Sequence, residues 1–288
     1  MAQSWSQLSV RASPANIDAL ANFLIERGAP GVVLKKNGLD AFFAATLDGA
    51  SLRGDIKRFV AAIVPLSPRA SAPRLSWKVI GQENWEHSWK RFIKPRRVGK
   101  SFWVTPPWLE PPKLRRRHVI TIEPGMAFGT GTHATTRSCM EFLETVAGRL
   151  GARKYSALDV GTGSGILAIA LALLGAAEIR AIDNDPVALQ VARDNLRANA
   201  VAHRVRLSGA KLNVLGGKFD VVAANLTAET IVELARDLEK RVAARGFLVL
   251  SGILHPKAAI ITRTFAGRFR VIKRKRSREW MTLLLQRK

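Results

Sequence analysis

The stretch Asp159-Val-Gly-Thr-Gly-Ser-Gly165 constrains this chain more than any other. It lies between a short apolar run, Ser156-Ala157-Leu158, and a Leu- and Ala-rich segment from Ile166 to Leu174 that stops at Gly175. That order predicts strand, glycine turn and helix. Glycines at 161, 163 and 165 permit a sharp turn and let a ligand approach bare backbone with no Cβ in the way. A dinucleotide fingerprint would need its third glycine at 166, where Ile166 stands, so the G-x-G-x-G spacing argues against a nicotinamide dinucleotide. A second strand, Glu178 to Ile182, ends in Asp183, placed like the acidic residue that accepts ribose hydroxyls in dinucleotide folds. Turn and carboxylate together predict an S-adenosylmethionine site; the plainer alternative is an ordinary tight strand-to-helix turn.

From Ala157 onward strands and helices alternate. Helix Pro186 to Asn199, with Val187, Leu189 and Ala192 inward, precedes strands Arg204 to Leu207 and Phe219 to Ala224, the latter ending at Asn225. Then come helix Thr230 to Ala244, strand Phe247 to Leu250, helix Pro256 to Thr264, and strands Phe269 to Ile272 and Trp280 to Leu285. This α/β pattern predicts a seven-stranded, mainly parallel, Rossmann-like methyltransferase sheet covered on both faces, with ligands at the carboxyl ends of the strands. Asp159, Asp183 and Asn225 all fall at such ends. Asn225-Leu-Thr-Ala228 stands where many amine and amide methyltransferases carry Asn-Pro-Pro-aromatic, so the Asn225 side-chain oxygen is a candidate acceptor for amine hydrogens.

Upstream, residues 1–80 read as strand from Trp5, helix from Pro14 to Gly28, a hairpin through Gly31–Lys35 and Leu39–Thr46, helix Leu52–Ile63 and strand Arg74–Ile80. The order βαββαβ predicts a smaller ferredoxin-like α+β domain, and its lack of clustered His, Cys or carboxylates suits a recognition module. Residues 81–117, rich in Trp, Pro and Arg, read as a linker in which Trp85 and Trp89 share a helix face; residues 118–288 complete the methyltransferase domain. Strand His118–Glu123 leads into Pro124-Gly-Met-Ala-Phe-Gly-Thr-Gly-Thr-His-Ala-Thr-Thr136. That loop lacks the lysine of a phosphate-binding loop and reads as a lid before a helix from about Thr136 to Leu150, or as a cap of Thr hydroxyls on that helix. His133 is the nearest candidate base.

A chain of 288 residues suits two domains, and the lack of an 18-residue apolar run predicts no membrane-spanning helix. No secretory pattern opens the sequence, and the single Cys139 suits the cytoplasm and excludes an internal disulfide. The net charge of +24 predicts attraction to a polyanion: a nucleic acid, or a substrate attached to one.

Taken together, Trp85 and Trp89, the Pro124–Thr136 loop, the Asp159–Gly165 turn, Asp183-Asn-Asp-Pro186, Asn225-Leu-Thr-Ala228 and Leu250-Ser-Gly-Ile-Leu254 closely resemble the bacterial ribosomal protein methyltransferase A family (PrmA). The resemblance implies an enzyme that uses S-adenosylmethionine to methylate lysine ε-amines and the N-terminal α-amine of large-subunit ribosomal protein eleven before ribosome assembly. It also implies a ferredoxin-like domain that captures that protein. The cofactor-binding candidates are Thr135, Thr136, Asp159, Gly161, Gly163, Asp183 and Asn225, the catalytic candidates are Asn225 and His133, and no metal is expected. A cytoplasmic monomer is expected. The family's usual Asn-Ile-Leu-Ala is Asn-Leu-Thr-Ala here, which adds the Thr227 hydroxyl beside the acceptor site. An RNA methyltransferase, or a lysine methyltransferase of another protein, is the alternative.

Overall fold

A computed structural model describes residues 4–12, 14–29, 31–35, 37–44, 49–63, 73–81, 94–110, 117–123 and 133–288. They fall into two compact units, one drawn from 1–94 and the other from 95–123 and 129–288. Trp85, Trp89, the Lys113–Arg116 run and the Pro124–Thr132 part of the predicted lid lie outside the described residues.

In the first unit, strands β1 (Ser4–Arg11), β2 (Gly31–Lys35), β3 (Gly38–Ala44) and β4 (Arg74–Gly81) form one antiparallel sheet in the order β2-β3-β1-β4. Helices α1 (Pro14–Glu26) and α2 (Gly49–Ile63) complete the ferredoxin-like βαββαβ order. Ile17, Leu20 and Leu24 on α1 and Leu52 and Ile56 on α2 sit at helical spacing and are buried with Leu8, Val10 and Phe43 of the sheet. Phe23 and Phe59 stack at 4.1 Å and tie the two helices together.

The second unit is built on a seven-stranded sheet, order β10-β9-β8-β11-β12-β14-β13. Its strands are β8 (Tyr155–Val160), β9 (Ala176–Ile182), β10 (Val205–Ser208), β11 (Phe219–Asn225), β12 (Val242–Leu254), β13 (Phe269–Ser277) and β14 (Trp280–Arg287). Strands β10 to β12 are parallel in the sheet order, and only β14 is reversed, since it pairs antiparallel with both β12 and β13. On one face lie α3 (Ala134–Leu150) and α4 (Ile166–Leu173), which bury Phe142, Leu143, Ile169 and neighbours in one core. On the other face α6 (Ala228–Glu233), α7 (Ala235–Arg241) and α8 (Ala258–Phe265) bury Ile231, Leu238, Ile261 and Phe265 in a second. Helix α5 (Pro186–Ala198) follows β9.

Three expectations are corrected. Residues 95–110, inside the stretch read as linker, are built into the second unit: β5 (Arg96–Val98) pairs with β6 (Phe102–Thr105), which pairs with β7 (His118–Thr121). The cause is that Val98, Phe102, Val104 and Ile120 are buried in the α3–α4 core, which the surrounding prolines and arginines disguise. The helix expected from Thr230 to Ala244 breaks after Glu233, ends at Arg241 and gives way to β12. Ile231, Ala235, Leu238 and Val242 keep helical spacing, but Val242 is β-branched and already pairs with Phe219. On α5, Val187 faces outward, and the inward stripe is Ala188, Ala192, Asn195 and Leu196.

Candidate active site

Strand register sets the site. Strand β8 pairs with β9 as Val160↔Ile182 and with β11 as Ala224↔Val160, so Asp183 and Asn225 stand on either side of Gly161, one residue beyond the last pairs. Neighbouring strands lie about 4.8 Å apart, so this row spans roughly 10 Å. It sits at the carboxyl edge, where the chain turns to one side after β8 and to the other after β11, the point at which open α/β sheets bind ligands.

The glycine turn is held by backbone. Gly161 N–H and Thr162 N–H both donate to the Ile182 carbonyl, at 2.9 and 3.0 Å, and Gly165 N–H donates to the Thr162 carbonyl at 2.9 Å. Gly161 has φ +70°, and a Cβ there would meet Leu226 Cδ2 at 2.4 Å. Gly252 has φ +80°, and its Cβ would lie 2.3 Å from the Leu226 carbonyl oxygen, because the segment after Asn225 crosses directly over it. The leucine methyl can turn aside, whereas the carbonyl cannot. Gly161→Ala is therefore expected to cost about 1–2 kcal/mol of left-handed strain, and Gly252→Ala clearly more, as read by urea unfolding of the two variants.

Asp159 is wholly buried and points beneath the turn. Its Oδ2 accepts from Thr162 Oγ1 at 2.7 Å and from Ala168 N–H at 3.2 Å, filling a first-turn donor of α4 that its N-cap, Gly165, has no side chain to satisfy. Its Oδ1 is buried with no partner among the described residues. Loss of hydration pushes the carboxyl up from 3.8 to about 7, with the nearby Asp183 charge adding to the rise against the two hydrogen bonds. A raised carboxyl favours the folded state fully below its unfolded value and loses that contribution as pH rises through about 7. Between pH 4 and 8 the ligand-free chain is thus expected to lose on the order of 4 kcal/mol through this group. Asp159→Asn should remove that slope, which unfolding curves of both proteins across this pH range measure.

Asp183 is half-buried and already oriented: Oδ2 accepts from Gly163 N–H at 2.8 Å and Oδ1 from Asp185 N–H at 3.1 Å. Each carboxylate oxygen keeps a second lone pair for a ligand hydroxyl. Asp185 caps α5 by accepting from Val187 N–H at 2.8 Å, and Pro186 fills the first helical position. Asp183-Asn-Asp-Pro186 thus combines an oriented carboxylate at the sheet edge with a helix start.

Asn225 closes the row on the other side. Its Nδ2 lies 3.5 Å from Thr136 Oγ1, and its Oδ1 is buried with no donor among the described residues. Leu226 N–H donates to the Ser251 carbonyl at 3.0 Å, fixing the chain that follows. Thr227 does not offer its hydroxyl to the acceptor site as the sequence suggested. It is the N-cap of α6, accepting from Thr230 N–H and lying 2.9 Å from Thr230 Oγ1.

Helix α3 begins at the same edge. His133 is its N-cap, with Nδ1 2.7 Å from Thr135 Oγ1 and accepting from Thr135 N–H, and its ring meets Trp280 edge-on at 5.2 Å. Thr135 and Thr136 are buried in the first turn. Thr135 sits under His133, and its carbonyl accepts from Ser251 Oγ at 3.5 Å, whereas Thr136 faces Asn225. One turn on, burial pushes the Cys139 thiol up to about 12, so it is an inert core residue.

One residue of this framework was not singled out from sequence. Buried Asn195 donates Nδ2 to the Ser164 carbonyl at 2.9 Å and accepts from Glu123 N–H at 3.1 Å, tying the glycine turn to the strand end that precedes the loop. Asn199 repeats this one turn later, accepting from Thr121 N–H and donating to the Thr121 carbonyl. The available signal was an asparagine inside an inward stripe of Ala and Leu.

Residues 4–288 match the family model described as ribosomal protein L11 methyltransferase (PrmA). The chain belongs to the ribosomal protein L11 methyltransferase family. Proteins of that name from Citrifermentans bemidjiense and Geobacter sulfurreducens are 38% and 36% identical to it, over 98% of this chain and 98% of the first, and 99% of this chain and 98% of the second. A crystal structure of ribosomal protein L11 methylase from Lactobacillus delbrueckii subsp. bulgaricus superposes with a TM-score of 0.61 at 28% identity, covering 68% of this chain and 98% of that one. Methyl transfer from S-adenosylmethionine is accordingly the chemistry of this family and of this chain. The residues present fit that donor: a turn whose three glycines all have positive φ, a pre-oriented carboxylate at Asp183, and an acceptor at Asn225 that no donor among the described residues fills. Among the described residues no helix is long and apolar enough to cross a membrane.

Proposed function

We propose that the chain methylates amines of ribosomal protein L11, lysine ε-amines and the N-terminal α-amine, in the cytoplasm, with the ferredoxin-like unit capturing the substrate. The observation that carries this is the buried Asn225 Oδ1, without a donor among the described residues and in line with Gly161 and Asp183. Bound S-adenosylmethionine supplies a methyl group on a positively charged sulfur. Asp183 holds the ribose hydroxyls, the Asp159–Gly165 turn receives the rest of the donor against bare backbone, and Thr136 steadies the Asn225 amide.

The acceptor amine has to arrive neutral, with its lone pair free. A lysine of pKa about 10.4 pays roughly 4–5 kcal/mol to be neutral at pH 7. A half-buried acceptor with no fixed carboxylate of its own lowers that cost, because desolvation disfavours the ammonium while the Asn225 oxygen accepts an N–H of the amine. Alignment of amine and methyl then carries the rate. His133 acts as the cap of α3 in this reading, and the released proton leaves with solvent. Labelled methyl groups recovered in an L11 band that survives ribonuclease support the assignment. Loss of the label on ribonuclease treatment would point to RNA, and label only in other proteins of an extract to a different protein substrate.

A further inference from the structure

A dense block of positive charge lies at one edge of the seven-stranded sheet. Between Arg268 and Lys288 there are nine Lys or Arg and a single acidic residue, Glu279. This segment is the β13–β14 hairpin, and β13 is the outermost strand of the sheet. Part of its charge is spent internally: Lys275 pairs with Glu141, Arg268 lies 3.7 Å from Glu239, and Arg287 donates to the Glu239 and Val242 carbonyls. Arg270, Lys273, Arg274 and Arg276 are exposed, and no carboxylate among the described residues pairs with them. Arg270 bonds the Gln286 amide, Lys273 lies over the Phe142 ring, and Arg276 gives only its Nε, to the Arg278 carbonyl.

Strand geometry orders these cations. Arg274 and Arg276 are two residues apart on one face, opposite Leu283 and Met281, at a spacing of about 6.6 Å. Both lie near the carboxyl end of β13, which runs parallel to β12 with β14 between them, so they share the edge that carries Asn225. Three strand spacings, about 14 Å, separate β13 from β11 along that edge. Edge strands commonly carry a charge or two to block aggregation, and lysine serves that purpose. A row rich in arginine and left without counter-charge has the character of a phosphate contact instead.

We propose that the outer edge of β13, centred on Arg274 and Arg276, binds the phosphate backbone of single-stranded RNA. Backbone contact of this kind is salt-dependent and indifferent to sequence.

The test is binding of a fluorescein-labelled oligouridylate to the full chain over a range of salt concentrations, independent of any methylation assay. Arg274→Gln/Arg276→Gln is expected to reduce the slope of log K against log salt by about 1.4, at roughly 0.7 per phosphate contact, and to weaken binding about tenfold near 0.15 M salt. Arg274→Lys/Arg276→Lys should retain the slope, and Arg193→Gln/Arg206→Gln on the other side of the sheet should retain both. Methylation of free L11 should be unchanged in all three. An unchanged slope in the Gln pair, or an equal loss in the Arg193/Arg206 pair, would overturn the proposal. A raised KM for free L11 with RNA binding intact would overturn it too and mark a protein-docking edge. Failure of L11 as a substrate leaves the RNA measurement standing, so the two claims fail separately.

Discussion

Asn225→Ala is expected to lower kcat for methyl transfer by about 10²- to 10³-fold while changing the Kd of S-adenosylmethionine by only a few-fold. The strand end survives the change, because Leu226 N–H still donates to the Ser251 carbonyl and the crossing over Gly252 is backbone. What disappears is the buried Asn225 Oδ1, which no donor among the described residues fills. The amine would then enter with an N–H unsatisfied and its lone pair unaimed. Single-turnover rates at saturating cofactor, set beside cofactor binding by calorimetry, separate the two quantities. Asn225→Asp sharpens the test: a carboxylate beside the amine favours the ammonium, so its rate should stay low at pH 7 and recover more than that of Ala as pH rises.

Asp183→Ala is expected to act in the opposite way, raising the cofactor Kd by about 10²- to 10³-fold, which corresponds to two hydrogen bonds to a charged group at roughly 1.5–3 kcal/mol each, partly offset. The carboxylate also receives Gly163 N–H and Asp185 N–H, so its removal frees two backbone donors at the base of the site as well as the ribose contacts. Asp183→Asn keeps one acceptor oxygen and should fall between. At cofactor concentrations far above the raised Kd, kcat should largely return. Persistent loss at saturation would place Asp183 in the chemical step instead.

Much of this was legible in the sequence because the determinants are local. A glycine turn between a strand and a helix, an acidic residue one strand later and an asparagine at the end of β11 each announce themselves over a few residues. Their alignment across β9, β8 and β11 follows from parallel register. The four-stranded order of the first unit was legible for the same reason, since strand and helix patterns alternate cleanly and Asn37-Gly38 marks the hairpin.

What escaped depended on partners far away in the chain. Strands β5 and β6 are only three and four residues long, and β5 opens on two arginines, so neither reads as a strand until Phe102 and Val104 are seen buried in the core of α3 and α4. Val242 fits a helix in sequence and a strand in space. Asn195 looks like a surface residue of α5, and only its bonds to Ser164 and Glu123, 31 and 72 residues away, reveal it as a clamp. The sequence marks His133 as a candidate base, and only the structure shows its Nδ1 engaged by Thr135 at the cap of α3. Thr227 was misplaced for the same reason, its hydroxyl being drawn to the first turn of α6.

The most direct measurement is the intact mass of purified L11 after incubation with the chain and S-adenosylmethionine. The expected result is a ladder of steps of about 14 Da, one CH₂ each, on lysines and the N-terminal amine, nearly abolished by Asn225→Ala. An unchanged L11 mass, with an active preparation transferring methyl groups to RNA or to another protein, would contradict the assignment.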